Sequence, residues 1–575
     1  MKTLSAQTVD RAFFSLLREW CDALCALQSD APDPSLSGGI LCPACKTIHG
    51  RCHEAVYPLL YTAERTGDVK YLTAAKKLFA WGENMRCADG SMRNDRTSGW
   101  KGVTVFAAVA LHDALFFHGD LLDASERQQW QTRLSGMGEW LHGNITVGSA
   151  AYINYYAANA CAMALLGKYF DRPAYLAAAR ILADYCFAHE SENGLLYGEG
   201  RPHDARTAKG CLPIDLGYNA EESLPSLTRY AETFGDADAL ERCRRLWRAQ
   251  LRWMLPDGAW DDSFGTRSFK WTYWGSRTAD GCQDALLRLG RDDPAFADAA
   301  WQNCTLLQKC THGGLLAGGP DYAAAGEPCC VHHTFCHAKA LAAALDAGTY
   351  DFVLPDAAAD NKAAAKYYPE LDTYRTACGG YIADVAGYDA RYKRGGHVSG
   401  GAVSLLWHRQ RGAVIAAGMA EYALLEPNNQ QLPQNADAHI SPCPRIEAQI
   451  GGKTAAQIHD FGAQMHLETA DDAVTIHVRA SLCGLDTATL PDSGCTLTYT
   501  LRADGLTIEG SVPPALAGNA HYILPVVRGT AEVMPLRGRL CGNVRDGFCL
   551  TPGFCLRETT IAPDKDGRFA VKVTV

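Results

Sequence analysis

Hydrophobic and polar positions along the chain fall into two regimes. Between about residues 50 and 350, runs of apolar and small residues at helical spacing are broken by short turns at Gly67-Asp68, Gly119-Asp120, Asp171, Gly235-Asp236, Asp292 and Asp346. These turns recur every 50 to 65 residues or so, roughly the length of a two-helix hairpin with one long loop. In residues 53–68 (HEAVYPLLYTAERTGD) apolar residues cover most of the helix. In residues 69–85, Leu72, Ala75, Leu78 and Phe79 share one face, with Lys70, Lys76 and Lys77 between them. The first pattern predicts a helix buried on most sides and the second a half-exposed partner. The same pair recurs at 152–188, 221–255 and 280–310, and Asp236 and Asp292 are placed to cap helix N-termini.

Five full hairpins and a sixth inner helix, residues 332–346, account for this region. The N-terminal helix, residues 8–27, is left over to act as the twelfth. The expected fold is mainly α, an (α/α)6 toroid; an open solenoid is the alternative, and closure is favoured because the count stops at six. After about residue 375 the pattern becomes alternating: HVSGGAVSLLWH, GAVIAAGMAEY, AVTIHVRASL, TLTYTLRADGLTIEGSV and RFAVKVTV. Ala503-Asp504-Gly505 joins two such runs as a hairpin turn. These runs predict a C-terminal antiparallel β-sandwich. The expected division is a toroid over 1–350, a linker over 351–376 and the sandwich over 377–575.

Composition narrows the partners. At 47% hydrophobic and 21% charged, the 575-residue chain is globular. A net charge of -10 without a basic stretch argues against nucleic acid. No apolar run is long enough for a membrane span, and the N-terminus lacks a secretory pattern. Many of the 23 cysteines, among them Cys161, Cys186, Cys243 and Cys304, fall in helical Ala/Leu-rich segments, where thiols pack as small apolar groups, and a cytoplasmic enzyme is expected.

In a ring of hairpins the N-termini of the inner helices and the long loops gather on one face. The residues there are Ile48-His49-Gly50-Arg51 with Glu54, Gly99-Trp100-Lys101-Gly102, Asn154-Tyr155-Tyr156 with Asn159, Gly217 to Glu222, Tyr273 to Asp280, and His332-His333 with His337. Singly, each has a structural explanation: first-turn acids beside a helix dipole, a cap, a core histidine. Together they bring carboxylates, imidazoles, cations and aromatic rings to one place, the set that sugar chemistry uses. Residues 260–281 are the densest segment, carrying Asp261, Asp262, Arg267, Lys270, Trp271, Trp274, Arg277 and Asp280.

IHGRC, GYNAEES, YWGSRTADGC and EPCCVHHTFCHAKALA, with the hairpin count and the β domain, resemble the six-hairpin glycosidase superfamily and, within it, glycoside hydrolase family 154. That resemblance implies an exo-acting β-glucuronidase on oligosaccharides carrying a uronic acid. Roles are then assigned from position and chemistry. Glu222 and Asp280 form the acid/base pair, with His333 tuning an acid or binding sugar. Arg51 and Arg277 hold the carboxylate, and His49, Trp100, Tyr155, Tyr218, Trp274 and His332 bind substrate. The main alternative is a lyase cleaving uronates by β-elimination, with Tyr155 or Tyr218 and His333 as base and acid and Asn154 and Arg51 neutralising the carboxylate. A non-catalytic carbohydrate-binding protein is the non-enzyme alternative.

No cofactor or metal is expected. Two weaker metal groupings are Asp280, Cys282, Cys329 and Cys330, similar to the zinc–thiolate set of β-L-arabinofuranosidases, and Cys42, Cys45 and Cys52 with His49 and His53. Self-association into a homo-oligomer through the β domain is left open.

Overall fold

The computed structural model describes residues 2–95, 99–355, 362–390, 398–418, 422–423, 439–440, 442–542 and 545–575. Parts of the alternating runs at 397–408 and 412–422, and part of the expected linker, lie outside them.

The N-terminal domain is built from helical hairpins. Helix α1 (Ala6–Ala26) is followed by α2 (Val56–Thr66) and α3 (Val69–Trp81), α4 (Thr104–His118) and α5 (Ala124–Asn144), and α6 (Ile153–Tyr169) and α7 (Pro173–Phe187). Then come α8 (Leu224–Phe234) and α9 (Ala237–Gln250), α10 (Gln283–Leu289) and α11 (Pro294–Lys309), and finally α12 (Val331–Ala347). Each even-numbered helix from α2 to α10 packs on the odd one that follows it, and α12 packs on α1, which fills the twelfth place. The even-numbered helices also touch in order, α2 to α4 to α6 to α8 to α10 to α12, and α12 returns to α2. This closed circuit explains the residue pattern. Inner helix α4 buries nearly every side chain, whereas outer helix α9 buries one stripe and leaves Arg245 and Arg248 exposed.

The turn chemistry is local. Asp68 and Asp236 cap α3 and α9 by accepting from Lys70 N and Ala239 N. At the fifth hairpin the cap is Asp293, not Asp292, because Pro294 takes the first helical position and sets the boundary one residue later. Strand β1 (Lys2–Leu4) pairs with β2 (Phe352–Leu354), tying the start of the domain to its end.

The C-terminal domain is antiparallel β-sheet. A five-stranded meander, β3 (Ala364–Tyr368), β4 (Thr373–Cys378), β5 (Tyr381–Ala386), β6 (Ala402–His408) and β7 (Gly412–Ala416), precedes a twelve-stranded sheet. The meander takes in residues 364–376, so the connection is shorter than the expected 351–376. Ala, Lys and Tyr in β3 carry too little apolar contrast to announce a strand. Residues of both sheets, among them Val385, Val403 and Leu406 from the meander and Ile476, Leu497 and Ile508 from the larger sheet, share one apolar core. The 503–505 turn joins its strands with Arg502 opposite Gly505, as expected.

The two domains meet tightly. Leu405, Trp407, Leu550 and Phe554 of the β domain belong to the helical core. Asp257 Oδ2 accepts from Tyr273 Oη at 2.7 Å and Trp407 Nε1 at 3.2 Å. Backbone meets backbone where Gly319 approaches Gly553: a Cβ on Gly319 would lie 2.4 Å from the Gly553 Cα. No helix among the described residues is long and apolar enough to cross a membrane.

Candidate active site

A cleft opens where the N-termini of the inner helices converge. Its wall includes His49 and Arg51 ahead of α2, Trp100 and Phe106 around the start of α4, Tyr155 on α6, Tyr218 and Glu222 ahead of α8, Lys270 and Thr278 from the loop before α10, and His332 on α12. The cleft thus opens at the end of the helical ring to which the sequence points. Seven of the expected residues line this cleft: His49, Arg51, Trp100, Tyr155, Tyr218, Glu222 and His332.

A backbone irregularity sets Glu222. Residues Asn219–Ser223 form a π-turn closed by Leu224 N–H to Asn219 O, a feature often found at functional sites. Pro225 has no N–H for the carbonyl of Glu221. That carbonyl instead accepts from Asp280 N at 3.2 Å and Gly281 N at 3.1 Å. The neighbouring acids then part. The Glu221 carboxylate turns inward to Ser276 N, at 2.6 Å, and lies 3.4 Å from His337 Nε2. Gly275 is required there: its φ is +152°, and a Cβ would lie 2.1 Å from the Glu221 carboxylate. Glu222 faces the cleft, and its Oε1 accepts from Asn154 Nδ2 at 2.8 Å. Burial, reinforced by the charge of Asp280, pushes its carboxyl up to about 8 against the pull of Arg51 and Arg267.

Tyr218 sits at the centre of a polar group. Its hydroxyl lies 2.6 Å from Thr278 Oγ1 and accepts from Lys270 Nζ at 3.0 Å. The guanidinium of Arg267 stacks on its ring at 3.5 Å. Burial raises the phenol well above its ordinary value, and the charge of Arg267 only partly offsets that, so Tyr218 rests protonated. Burial, together with the like charge of Arg267, pulls Lys270 down to about 8. Arg267 also pairs with the buried Glu199. Tyr155 Oη accepts from Trp100 Nε1 at 3.2 Å, and Trp100 is 46% exposed at the mouth, a suitable surface for a sugar ring. Burial and the charge of Arg51 hold His332 well below the usual imidazole range, so it is neutral.

Four expected residues stand elsewhere. Asp280 is 28% exposed, lines a separate pocket with Asp113 and Arg229, and bridges Arg51 Nη2 at 2.8 Å and Lys339 Nζ at 2.9 Å. Burial alone would raise its carboxyl, but Lys339 and Arg51 outweigh that and hold it below the ordinary value. Such an acid stays ionised and does not donate a proton. Arg51 is held by Glu54 (2.6 Å) as well as Asp280, leaving Nη1 against Thr278 O and His332. His333 is fully buried beside Trp274 rather than in the cleft, because successive residues on α12 point about 100° apart. Trp274 and Arg277 are also fully buried, and Trp274 Nε1 donates to Ala317 O at 2.8 Å. The Trp-rich segment 260–281 is therefore mostly seam between the domains: Trp260 and Trp271 are 1% exposed. Lys270 and Thr278 are the members of that segment in the cleft wall, and Arg267 supports it by stacking on Tyr218. Charge within an aromatic loop is the signal that singles out Lys270 and Arg267.

The expected metal groupings rearrange. Asp280 is committed to cations, and Cys282 Sγ faces Asn303 at 3.7 Å. Cys42, Cys45 and His49 do come together, joined by Cys330 rather than by Cys52 or His53.

The chain matches the Ulvan lyase N-terminal domain model over residues 17–363 and the Ulvan lyase C-terminal domain model over residues 365–536. It is 36% identical over 538 residues to the broad-specificity ulvan lyase of Formosa agariphila, covering 90% of this chain and 83% of the relative. In structure it is similar to the chondroitin AC lyase of Streptomyces coelicolor A3 in complex with chondroitin sulphate, with a TM-score of 0.53, 14% identity, and coverage of 99% of this chain and 82% of that one. A variant of the same enzyme gives 0.51, at 14% identity and 98% and 79% coverage. The structural likeness shows a shared fold. The family models and the relative overturn the glycoside hydrolase reading and the assignment to family 154. The motifs that suggested family 154 mark the rim of a helical ring, and that rim serves other chemistries on the same scaffold. The chain belongs to the ulvan lyase family.

Proposed function

We propose that this protein is a polysaccharide lyase that cleaves uronic-acid-containing polysaccharide, ulvan among them, by β-elimination in the cleft around Tyr218. The fold is read as an (α/α)6 toroid followed by a β-sandwich, with the chemistry on the toroid rim. The observation that carries the reading is the Tyr218–Lys270–Arg267 group beside the neutral carboxyl of Glu222. Hydrolysis of a glycosidic bond ordinarily uses two carboxyl groups flanking it. Here Glu222 faces the cleft while Asp280 is bound by two cations behind it.

In β-elimination a base removes the C5 proton of the uronate. The C5–H electron pair forms the C4=C5 double bond, the C4–O bond breaks, and the leaving oxygen takes a proton. Tyr218, once its phenol proton has passed to the neutral amine of Lys270, accepts the C5 proton and as phenol returns it to the leaving oxygen, so the step balances without a co-reactant. Lys270 and Arg267 stabilise the phenolate. The neutral Glu222 carboxyl, oriented by Asn154, donates a hydrogen bond to the uronate carboxylate and favours the charge that develops as C5 loses its proton. Trp100 and Tyr155 give the sugar ring a platform, and the neutral His332 offers a hydrogen-bonding nitrogen.

The test is incubation with ulvan and with a chromogenic β-D-glucuronide. Growth of the near-ultraviolet absorbance of an unsaturated uronate, without dye release, is expected. Dye release without that absorbance would refute the proposal.

A further inference from the structure

Beside the cleft, three sulfurs and one imidazole nitrogen converge from distant parts of the chain. Cys42 Sγ lies 3.6 Å from Cys330 Sγ, and Cys45 Sγ lies 3.8 Å from it. His49 Nε2 lies 3.4 Å from the same sulfur, and the four ligand atoms all lie within 4.8 Å of one another. These separations do not suit disulfides, in which the sulfurs are about 2.05 Å apart, and no disulfide joins any of the 23 cysteines. They match the edges of a tetrahedron around one ion. Zn–S bonds of about 2.3 Å and Zn–N bonds of about 2.0–2.1 Å give edges of about 3.8 Å between sulfurs and about 3.5 Å between sulfur and nitrogen.

The backbone around the first two sulfurs is shaped for this. Cys45 N donates to Cys42 Sγ at 3.3 Å, so an amide already supports a sulfur that carries negative charge as a ligand. Lys46, next in the chain, adopts a φ of +56° and donates its N–H to Cys42 O at 3.0 Å, while Cys42 N donates to Thr47 O at 2.9 Å. The chain thus doubles back tightly through Cys-Pro-Ala-Cys-Lys and brings His49 round to the sulfurs. The fourth donor, Cys330, is the N-cap residue of α12, and its side chain makes no capping bond. Its neighbour Cys329 points away, with Sγ 4.0 Å from His312 O.

We infer that Cys42, Cys45, His49 and Cys330 form a structural zinc site. Three thiolates and a neutral imidazole complete a four-coordinate set with no open position, which is the arrangement of a structural rather than a hydrolytic zinc. Binding replaces three thiol protons, which pass to solvent. The site joins residues 288 apart, fastening the loop before α2 to the start of α12, so it pins the seam where the ring of inner helices closes. His49 and His332 both line the cleft, their ring centroids 5.5 Å apart, so the ion also fixes one wall of the proposed active site. His49 is then a metal ligand rather than the substrate-binding residue expected from sequence.

The experiment is metal analysis of the full chain purified under reducing conditions without chelator, followed by cobalt substitution. About one zinc ion per chain is expected. The cobalt form should show thiolate-to-cobalt charge transfer in the near ultraviolet and strong tetrahedral bands in the red. Cys45→Ser and Cys330→Ser should lose the metal, and Cys329→Ser should keep it. Wild-type protein that holds no zinc, and takes up none on dialysis against it, would overturn the inference, as would metal retained in both Cys45→Ser and Cys330→Ser. Should those variants fail to fold, the wild-type cobalt spectrum decides: absence of thiolate charge transfer overturns the site. None of these readouts depends on the reaction, so failure of the lyase proposal and failure of the zinc site are separately visible.

Discussion

Replacing Asp280 by Asn removes one charge from a buried cluster of four. Arg51 and Lys339 are the cations, Glu54 and Asp280 the acids, and Asp280 reaches both cations at 2.8 and 2.9 Å. The native cluster is neutral; the variant leaves one positive charge in excess. Removing one partner of a fully buried pair costs about 3–5 kcal/mol. Here the cost is smaller, because Asp280 is 28% exposed, Glu54 still offsets one cation, and the Asn carbonyl keeps one hydrogen bond. A loss of about 2 kcal/mol is expected, read as a lower denaturant midpoint at unchanged slope. Turnover per folded molecule should fall less than about tenfold, through displacement of Arg51 at the cleft wall.

The pH dependence of this stability has a definite sign. Asp280 is held below its ordinary value in the folded chain, so its contribution is present above about pH 4 and is lost as pH falls through the folded value. The difference between wild type and Asp280→Asn should therefore shrink in acid. Paired unfolding and initial-rate measurements test the argument. A loss of turnover by a factor of about 1,000 or more with unchanged stability would refute it, since a general acid or base shows that pattern and a charge partner does not.

Other substitutions separate the roles in the cleft. Tyr218→Phe should lower kcat by about 100- to 10,000-fold with little change in KM; activity within tenfold or so of wild type would remove Tyr218 as the proton carrier. Lys270→Met should lower kcat while leaving stability at pH 7 equal or higher. Burial pulls Lys270 down to about 8, so in the wild type stability rises with pH between about 8 and the ordinary lysine value near 10.4, and that rise should vanish in the variant. Glu222→Gln should retain activity within about tenfold, since a neutral donor remains, whereas a proton-transferring acid would lose far more. The raised carboxyl of Glu222 makes wild-type stability fall as pH climbs from about 4.3 to about 8, and unfolding curves of the Gln variant should lack that fall. Trp100→Ala should weaken substrate binding by about 0.5–1.5 kcal/mol with kcat preserved, seen as a rise in KM alone.

The ring of helices and the end at which its cleft opens were legible because helix periodicity and turn residues are local properties. Gly67-Asp68 and Gly235-Asp236 announce a left-handed glycine followed by a capping aspartate, and the structure has both. Closure was legible too, since α1 had no other hairpin partner. Side-chain direction was not. Helix α12 is buried nearly all round, so its sequence carries no polar face to set the rotational phase, and His332 could not be told from His333. The same limit applies at Glu221-Glu222, where a π-turn at Asn219–Ser223 ahead of Pro225 decides which acid faces the cleft. Trp274 suggested a sugar platform because the composition of a loop does not reveal that the ring packs inward, against His333 and His337 of α12.

The reaction type was the least local property of all. Hydrolase and lyase both need cations, acids and aromatic rings at the rim, and they differ in whether a second carboxyl is available to the scissile bond. In the proposed lyase reading Asp280 is kept from that role by Lys339, a residue 59 positions away on α12 with no distinguishing pattern around it. Cys330 raises the same difficulty for the metal. The Cys42–Cys45 pair is visible as a half-site, but its completing thiolate lies at the far end of the ring, and only closure of the helices brings it within reach. The residues that fix the chemistry are thus the ones whose meaning depends on the ring being closed.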